Sequence, residues 1–179
     1  MPRLTTELSD IPMPMKTSPP DTAASRTSDA NKLVGAFVDL LGSKRVLSAH
    51  SDLLVYECDG YVIEKNSPDV AVFPETTEEV AAVVRICHDA RIPFLPRGAG
   101  TSLAGGCLPV GGGVMIVLTR MKEIVKIDVR NRYAIVQPGV VNVHLTQKLK
   151  GTGYHYAPDP SSQGACTIGG NVATNSGGP

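Results

Sequence analysis

The groups in this chain best placed to do chemistry are backbone amides rather than side chains. Two stretches, RGAGTSLAGG at 97–106 and PDPSSQGACTIGGNVATNSGG at 158–178, are dense in glycine and almost free of charge. Between Gly98 and Thr119 the only ionisable side chain is Cys107, and from Gly151 onward Asp159 carries the only formal charge. Glycine lets backbone pass very close to another molecule and lets several N–H groups converge on one point. A loop that offers amides and avoids lysine suits an anion held by dipoles, such as a pyrophosphate.

Two common phosphate motifs do not fit. No Gly-Lys-Ser/Thr follows any glycine run, which removes the P-loop. Gly98-Ala99-Gly100 is followed by Thr101-Ser102-Leu103 rather than x-x-Gly, and no helix signal starts there, which removes the Rossmann fingerprint. Gly111-Gly112-Gly113, between Val110 and Val114, reads as a tight turn.

The reactive side chains have plain readings. Cys107 and Cys166 sit beside and inside the loops, where no flanking His or cation is expected to lower a thiol pKa, so both read as small buried filler. His50, His88, His144 and His155 never stand at a metal-ligand spacing, so no metal site and no catalytic residue is assigned. Arg97 either contacts a phosphate or holds the loop by capping carbonyls, and the sequence leaves both open. Asp59 reads as a turn cap.

The elements that must position these loops begin after a tail. Residues 1–28, rich in Pro, Ser and Thr, carry no apolar period and cannot bury enough surface to fold alone. From Asp29, Leu33, Val34, Phe37, Val38 and Leu41 form one helical stripe that stops near Gly42. Val70–Phe73 is a buried strand. Thr76 and Glu79 make a capping box at the start of a helix whose face is Val80, Val83, Val84 and Cys87. Ile92–Leu95 is a second strand running into Arg97. This strand–helix–strand unit is expected to be parallel and right-handed, with the first loop at a strand's carboxyl end, where α/β sheets bind ligands. Val114–Leu118, Ile124–Val129 and Tyr133–Gln137 suggest an antiparallel meander, and Asn142–Lys150 a short helix. From Ala157 onward the sequence reads as loop.

Composition excludes other classes. Seventeen basic residues against seventeen acidic ones, and 4% aromatics with no Trp, argue against a nucleic-acid partner. No apolar run is long enough for a membrane span. Four widely spaced cysteines without a C-x-x-C pair suit reduced thiols and a cytoplasmic setting.

The succession FPETTEEVAAVVRICHDARIPFLPRGAGTSLAGG, VQPGV at 136–140 and PDPSSQGACTIGGNVATNSGG resembles the vanillyl-alcohol oxidase / p-cresol methylhydroxylase flavoprotein family over about residues 30–179. YECDG at 56–60 and APDPSSQ at 157–163 are most similar to the FAD-binding subunits of bacterial glycolate oxidases within it, with D-lactate and D-2-hydroxyglutarate dehydrogenases as near relatives. The resemblance implies an α+β, two-subdomain FAD-binding fold. A small parallel β-α-β subdomain (about 65–120) would precede a mostly antiparallel one (about 121–179), together an FAD-binding domain at 29–179 that is incomplete at its C-terminus.

The resemblance also implies the cofactor contacts. Arg97, Gly98, Ala99, Gly100, Thr101, Ser102, Gly105 and Gly106 would wrap the FAD pyrophosphate, with Pro138 and Gly139 lining the cofactor. Pro158, Ser161, Ser162, Thr167, Gly169, Gly170, Asn171, Ala173 and Asn175 would follow the ribityl chain, ring and pyrophosphate. Some relatives attach the flavin through a His in the first loop. Here no His occurs between residues 89 and 143, so non-covalent FAD is expected.

The implied reaction oxidises a small 2-hydroxy acid, glycolate or D-lactate, by hydride transfer from the α-carbon to flavin N5. A partner subunit, quinone or dioxygen would take the electrons. The implied substrate and catalytic residues would lie beyond Pro179. Rival readings are a non-catalytic FAD-binding or subunit-interaction module, UDP-N-acetylenolpyruvoylglucosamine reductase, and alkyl-dihydroxyacetonephosphate synthase.

Overall fold

A computed structural model describes the backbone from Ala23 and side chains from Lys32 to Pro179. Residues 1–22 of the expected tail lie outside the described residues. Helix α1 spans Ala23–Leu41 and so begins before Asp29. Its expected stripe packs inward, with Phe37 and Leu41 buried. Gly42 ends it at φ +85°, a conformation that costs other residues more.

The first unit is a four-stranded sheet of β1 (Val46–Leu47), β2 (Val70–Val72), β3 (Phe94–Arg97) and β4 (Val114–Val117), in the order β1-β2-β4-β3. β1 is antiparallel to β2, whereas β4 runs parallel to both β2 and β3. The expected unit of β2, helix α3 (Thr77–Asp89) and β3 is present, but β4 lies between its two strands. Val114–Val117 therefore belongs to this parallel sheet and not to an antiparallel meander. Its composition explains the placement. Val114, Met115, Ile116 and Val117 are buried in unbroken succession, which a central strand covered on both faces requires.

Alternation divides the core in two. Val70, Val72, Val114 and Ile116 face Phe37 and Leu41 of α1 and Val83 and Cys87 of α3. Ala71, Met115 and Val117 face the other way, onto Leu53, Tyr56, Phe73 and Leu95. Leu53 ends helix α2 (His50–Leu53), so the 50–56 segment covers the face opposite α1 and α3.

The start of α3 is built as its sequence requires. Thr76 Oγ1 accepts from Glu79 N at 3.1 Å, while the Glu79 carboxylate accepts from Glu75 N at 2.7 Å. Arg45, in the turn just before β1, adds a bidentate pair to Glu79, at 2.7 and 2.8 Å, tying that turn to α3.

A second, smaller unit follows. β5 (Ile124–Asp128) and β6 (Tyr133–Val136) form an antiparallel hairpin, and α4 (Asn142–Lys148) packs on it. Val140, Leu145 and Ile168 form its core with Ile124, Ile127, Ala134 and Val136 around them. Residues after Ala157 are not all loop, because helix α5 spans Ile168–Thr174. Its two glycines hide it in the sequence, since glycine disfavours a helix interior. Thr167 caps it, with Oγ1 accepting from Gly170 N at 3.3 Å. The architecture is α+β with a parallel β-α-β unit first and an antiparallel pair second.

Candidate functional site

The first glycine loop leaves β3 at its carboxyl end and folds over the YECDG segment. Arg97, 7% exposed, turns its guanidinium back under the loop. Nη2 donates to Cys58 O at 2.8 Å, Nη1 to Cys107 Sγ at 3.3 Å, and Cζ stands 5.7 Å from the Tyr56 ring centroid. Of the two roles left open, Arg97 thus takes that of capping a carbonyl to hold the loop. Gly100 lies against that guanidinium at φ +73°, where an added Cβ would collide with it. Asp59, 5% exposed, is the turn cap expected: Oδ1 accepts from Tyr61 N and Oδ2 from Gly105 N, both at 2.9 Å. Gly60 N donates to Ser102 O at 2.9 Å. The YECDG segment is thus a clip that sets the loop's shape.

Arg97 also revises the reading of Cys107. A cation does flank this thiol, but burial outweighs it and pushes the thiol pKa up, and Cys107 is half-buried rather than fully buried as expected.

The two loops meet at Gly98, where an added Cβ would overlap Thr167 Oγ1. A shallow cleft of about 60 Å³ opens there, between Ala99, Thr101 and Ser102 on one side and Ser162, Thr167, Gly170 and Asn171 on the other. Among the described residues, the amides of Ala99, Gly100, Thr101 and Ser102 have no protein acceptor. The amides of Ile168, Gly169, Gly170 and Asn171 are all taken, by Val140 O, Pro138 O, Thr167 Oγ1 and Thr167 O. Ser162 N and Thr167 N, in the second loop, have no protein acceptor among the described residues, so free backbone donors occur on both sides of the cleft. Asn171 is 6% exposed, and its Nδ2 has no partner among the described residues.

The remaining expected residues divide by position. Pro138 and Gly139 brace the site from behind: Pro138 O accepts from Gly169 N at 2.9 Å, and Gly139 N donates to Met121 O at 2.7 Å. Pro158 and Asn175 line a neighbouring hollow with Tyr156 and Asn171, and Asn175 ends α5 in the left-handed region at φ +52°. Gly105 is engaged by Asp59, while Gly106, Ser161 and Ala173 are exposed and line neither hollow.

Sequence reasoning missed several contributors. Cys166, Thr174 and Ser176 also line the cleft. Asn142, 1% exposed, donates from Nδ2 to Pro158 O at 2.9 Å and so fixes the start of the second loop. A helix-starting Asn gives no sign in the sequence that it will reach a loop residue. Tyr56 and Cys58 were visible only as part of a motif.

A larger hollow of about 220 Å³ lies elsewhere, between the hairpin and α4, with Ile127, Ala134, Leu145, Tyr154 and Tyr156 among its lining. No residue of the first loop lines it. Among the described residues no three His, Cys, Asp or Glu side chains gather to hold a metal, and no helix is long and apolar enough to cross a membrane.

Residues 68–179 match the family described as "FAD binding domain". The chain is 43% identical over 150 residues to glycolate oxidase subunit GlcD of Escherichia coli, which covers 84% of this chain and 30% of that protein. It is 44% identical over 129 residues to a D-lactate dehydrogenase of Anaerostipes hadrus, covering 72% of this chain and 26% of that one. This chain thus spans about 30% of the length of curated relatives it matches. Among solved structures, p-cresol methylhydroxylase with substrate bound aligns at TM-score 0.69 and 30% identity over 81% of this chain and 29% of its own. An alkyldihydroxyacetonephosphate synthase aligns at TM-score 0.76 and 25% identity over 83% and 30%. A cleft between two glycine loops, on a fold shared with p-cresol methylhydroxylase, suits a flavin-nucleotide domain, and the chain belongs to the FAD-binding domain family.

Proposed function

We propose that this chain is the FAD-binding part of an oxidoreductase that converts a small 2-hydroxy acid, of the glycolate or D-lactate type, to the 2-oxo acid. The observation that carries the cofactor half is the cleft itself. Ala99, Thr101 and Ser102 line it with Ser162, Thr167 and Asn171 and with no lysine or arginine, and the four consecutive amides of Ala99 to Ser102 have no protein acceptor among the described residues. Asn171 lines the same cleft, and its buried Nδ2 has no partner among the described residues. Donors without protein acceptors fit a pyrophosphate and its adjoining sugar hydroxyls. In this reading the Ala99–Ser102 backbone holds the pyrophosphate side, shaped by Arg97 and by the Asp59–Gly105 bond, and Pro158, Ser162, Thr167, Gly170, Asn171 and Asn175 hold the remainder. Pro138 and Gly139 support them from behind.

Bound FAD supplies the two-electron acceptor that alcohol oxidation needs. The chain's own part is to hold and orient it. No residue among those described is assigned to take the substrate proton. The attachment is non-covalent, in keeping with hydroxyl side chains at Thr101 and Ser102.

The substrate class is supported by the relatives. Identity to the glycolate oxidase subunit and the D-lactate dehydrogenase, 43% and 44%, well exceeds the 25% to alkyldihydroxyacetonephosphate synthase. That one relative is a subunit supports a partner chain as the destination of the electrons. Two measurements test the proposal. FAD added to the purified chain should lose fluorescence as it binds. A chimera in which this chain replaces the matching part of the Escherichia coli glycolate oxidase subunit should retain glycolate oxidation. Failure to bind FAD in either form removes the cofactor reading. A chimera that holds FAD but oxidises no 2-hydroxy acid removes the substrate reading and leaves a non-catalytic FAD-binding module.

A further inference from the structure

Arg97 is a buried cation with only neutral partners. Its guanidinium bonds to Cys58 O and Cys107 Sγ and faces the Tyr56 ring. Among the described residues no carboxylate forms an ion pair with it. The Asp59 carboxylate, also buried, spends both oxygens on Tyr61 N and Gly105 N. Burying a charge without a counter-ion is costly, so a site that keeps one has an anion to meet. The guanidinium lies directly beneath Gly100, in the middle of the four unpaired amides.

We propose that Arg97 is a positioning residue that supplies the positive field for this amide cradle. It acts on a bound pyrophosphate through the Gly98–Ser102 backbone rather than by touching it. The inference rests on the FAD reading above. It explains how a loop with no lysine or arginine in its cleft attracts a doubly charged group. The charge is placed one layer below, where the low-dielectric surroundings strengthen it and Gly100 admits it. Gly100 is required for this placement, since any side chain there would displace the guanidinium.

The test compares ligands with and without phosphate on the purified 179-residue chain. FAD, ADP and riboflavin are titrated into the wild type, Arg97→Gln, Arg97→Lys and Gly100→Ala, with melting temperatures recorded in parallel. Arg97→Gln should weaken FAD and ADP by about ten- to a hundredfold and flatten the salt dependence of both, leaving riboflavin unchanged. Arg97→Lys should recover most of the loss, and Gly100→Ala should reproduce it with the charge retained but displaced.

Equal weakening of riboflavin and ADP, with no change in salt dependence, would make Arg97 a purely structural brace and overturn the proposal. ADP affinity unchanged in Arg97→Gln would do the same. If Arg97→Gln does not fold, the lysine and Gly100→Ala variants decide, because both keep the charge. A wild type that binds neither FAD nor ADP overturns the cofactor reading itself, and this inference with it.

Discussion

Gly98 lies so close to the Thr167 hydroxyl that a methyl group on its Cα would overlap Oγ1. Thr167 cannot easily retreat, because the same oxygen caps α5 through Gly170 N at 3.3 Å and its backbone bridges Val141. The two glycine loops therefore touch where one of them lacks a side chain. Gly98→Ala should part them, lowering stability by about 1–3 kcal/mol, the usual cost of overpacking. FAD affinity should fall at least about tenfold with it. Gly164→Ala, where an added Cβ meets nothing within 4 Å, is the control. Fluorescence titration and urea unfolding of both variants check this, and equal affinities in the two would show that the contact does not set the cleft.

Asp59 offers a second test, of the clip rather than the cleft. Its two oxygens hold Tyr61 N and Gly105 N inside the protein, and bonds to a charged acceptor contribute about 1.5–3 kcal/mol. Asp59→Asn keeps the oxygen facing Tyr61 but turns an NH2 toward the Gly105 donor, or the reverse. A loss of about 2 kcal/mol in urea unfolding is expected, with weaker FAD binding. A variant of unchanged stability would mean that water replaces the carboxylate and the clip holds without it.

These two residues also show how far the sequence could be read. The Thr76 cap, the stop at Gly42 and the buried strand at Val70 each follow from local chemistry, and each is found in place. The order of strands does not follow from local chemistry. Nothing in VMIV says that it inserts between β2 and β3, because a buried apolar strand fits any central position. Helix α5 was invisible because Gly169 and Gly170 lower its intrinsic propensity; Thr167 and the contacts of Gly169 with Pro138 supply what the sequence lacks. At the site, the glycines marked the cleft. Which amides stay free depends on which carbonyls the fold brings near, and that is tertiary information.

The Arg45–Glu79 pair predicts a pH dependence. Hydrogen bonding to the Arg45 guanidinium holds the Glu79 carboxyl below its ordinary value of 4.5. For a carboxylate with a depressed folded pKa, the added stability is present above the unfolded value and disappears as pH falls through the folded one. Wild type should therefore lose stability more steeply than Glu79→Gln as pH drops below about 4.5, and the two should differ by a constant amount above it. Unfolding free energies measured across the acid range check this. Parallel curves below that pH would mean that the pair contributes no linkage.

Burial predicts which thiol stays silent. Cys87, fully buried between α3 and the sheet, has its pKa pushed up to about 11 by desolvation. At mildly alkaline pH it stays almost entirely a thiol, and the thiolate is the nucleophile. Alkylation of the native chain should spare Cys87 while modifying half-buried Cys58 first, with all four cysteines reacting in denaturant. Mass spectrometry of the digested protein reads the order directly, and early labelling of Cys87 would show that α3 opens from the sheet.

The flavin is expected to be held without a covalent bond. A covalent link needs a nucleophilic side chain in reach of the ring, and the first loop carries only Thr101 and Ser102, whose hydroxyls need a neighbouring base to act. Among the described residues that line the cleft, no His supplies one. Cys166 is the single thiol there, and it is 3% exposed. Acid precipitation of the FAD-loaded chain should therefore leave all of the flavin in solution and none with the polypeptide. Flavin that stays with the protein would contradict this, and its loss in Cys166→Ser would then identify the attachment point.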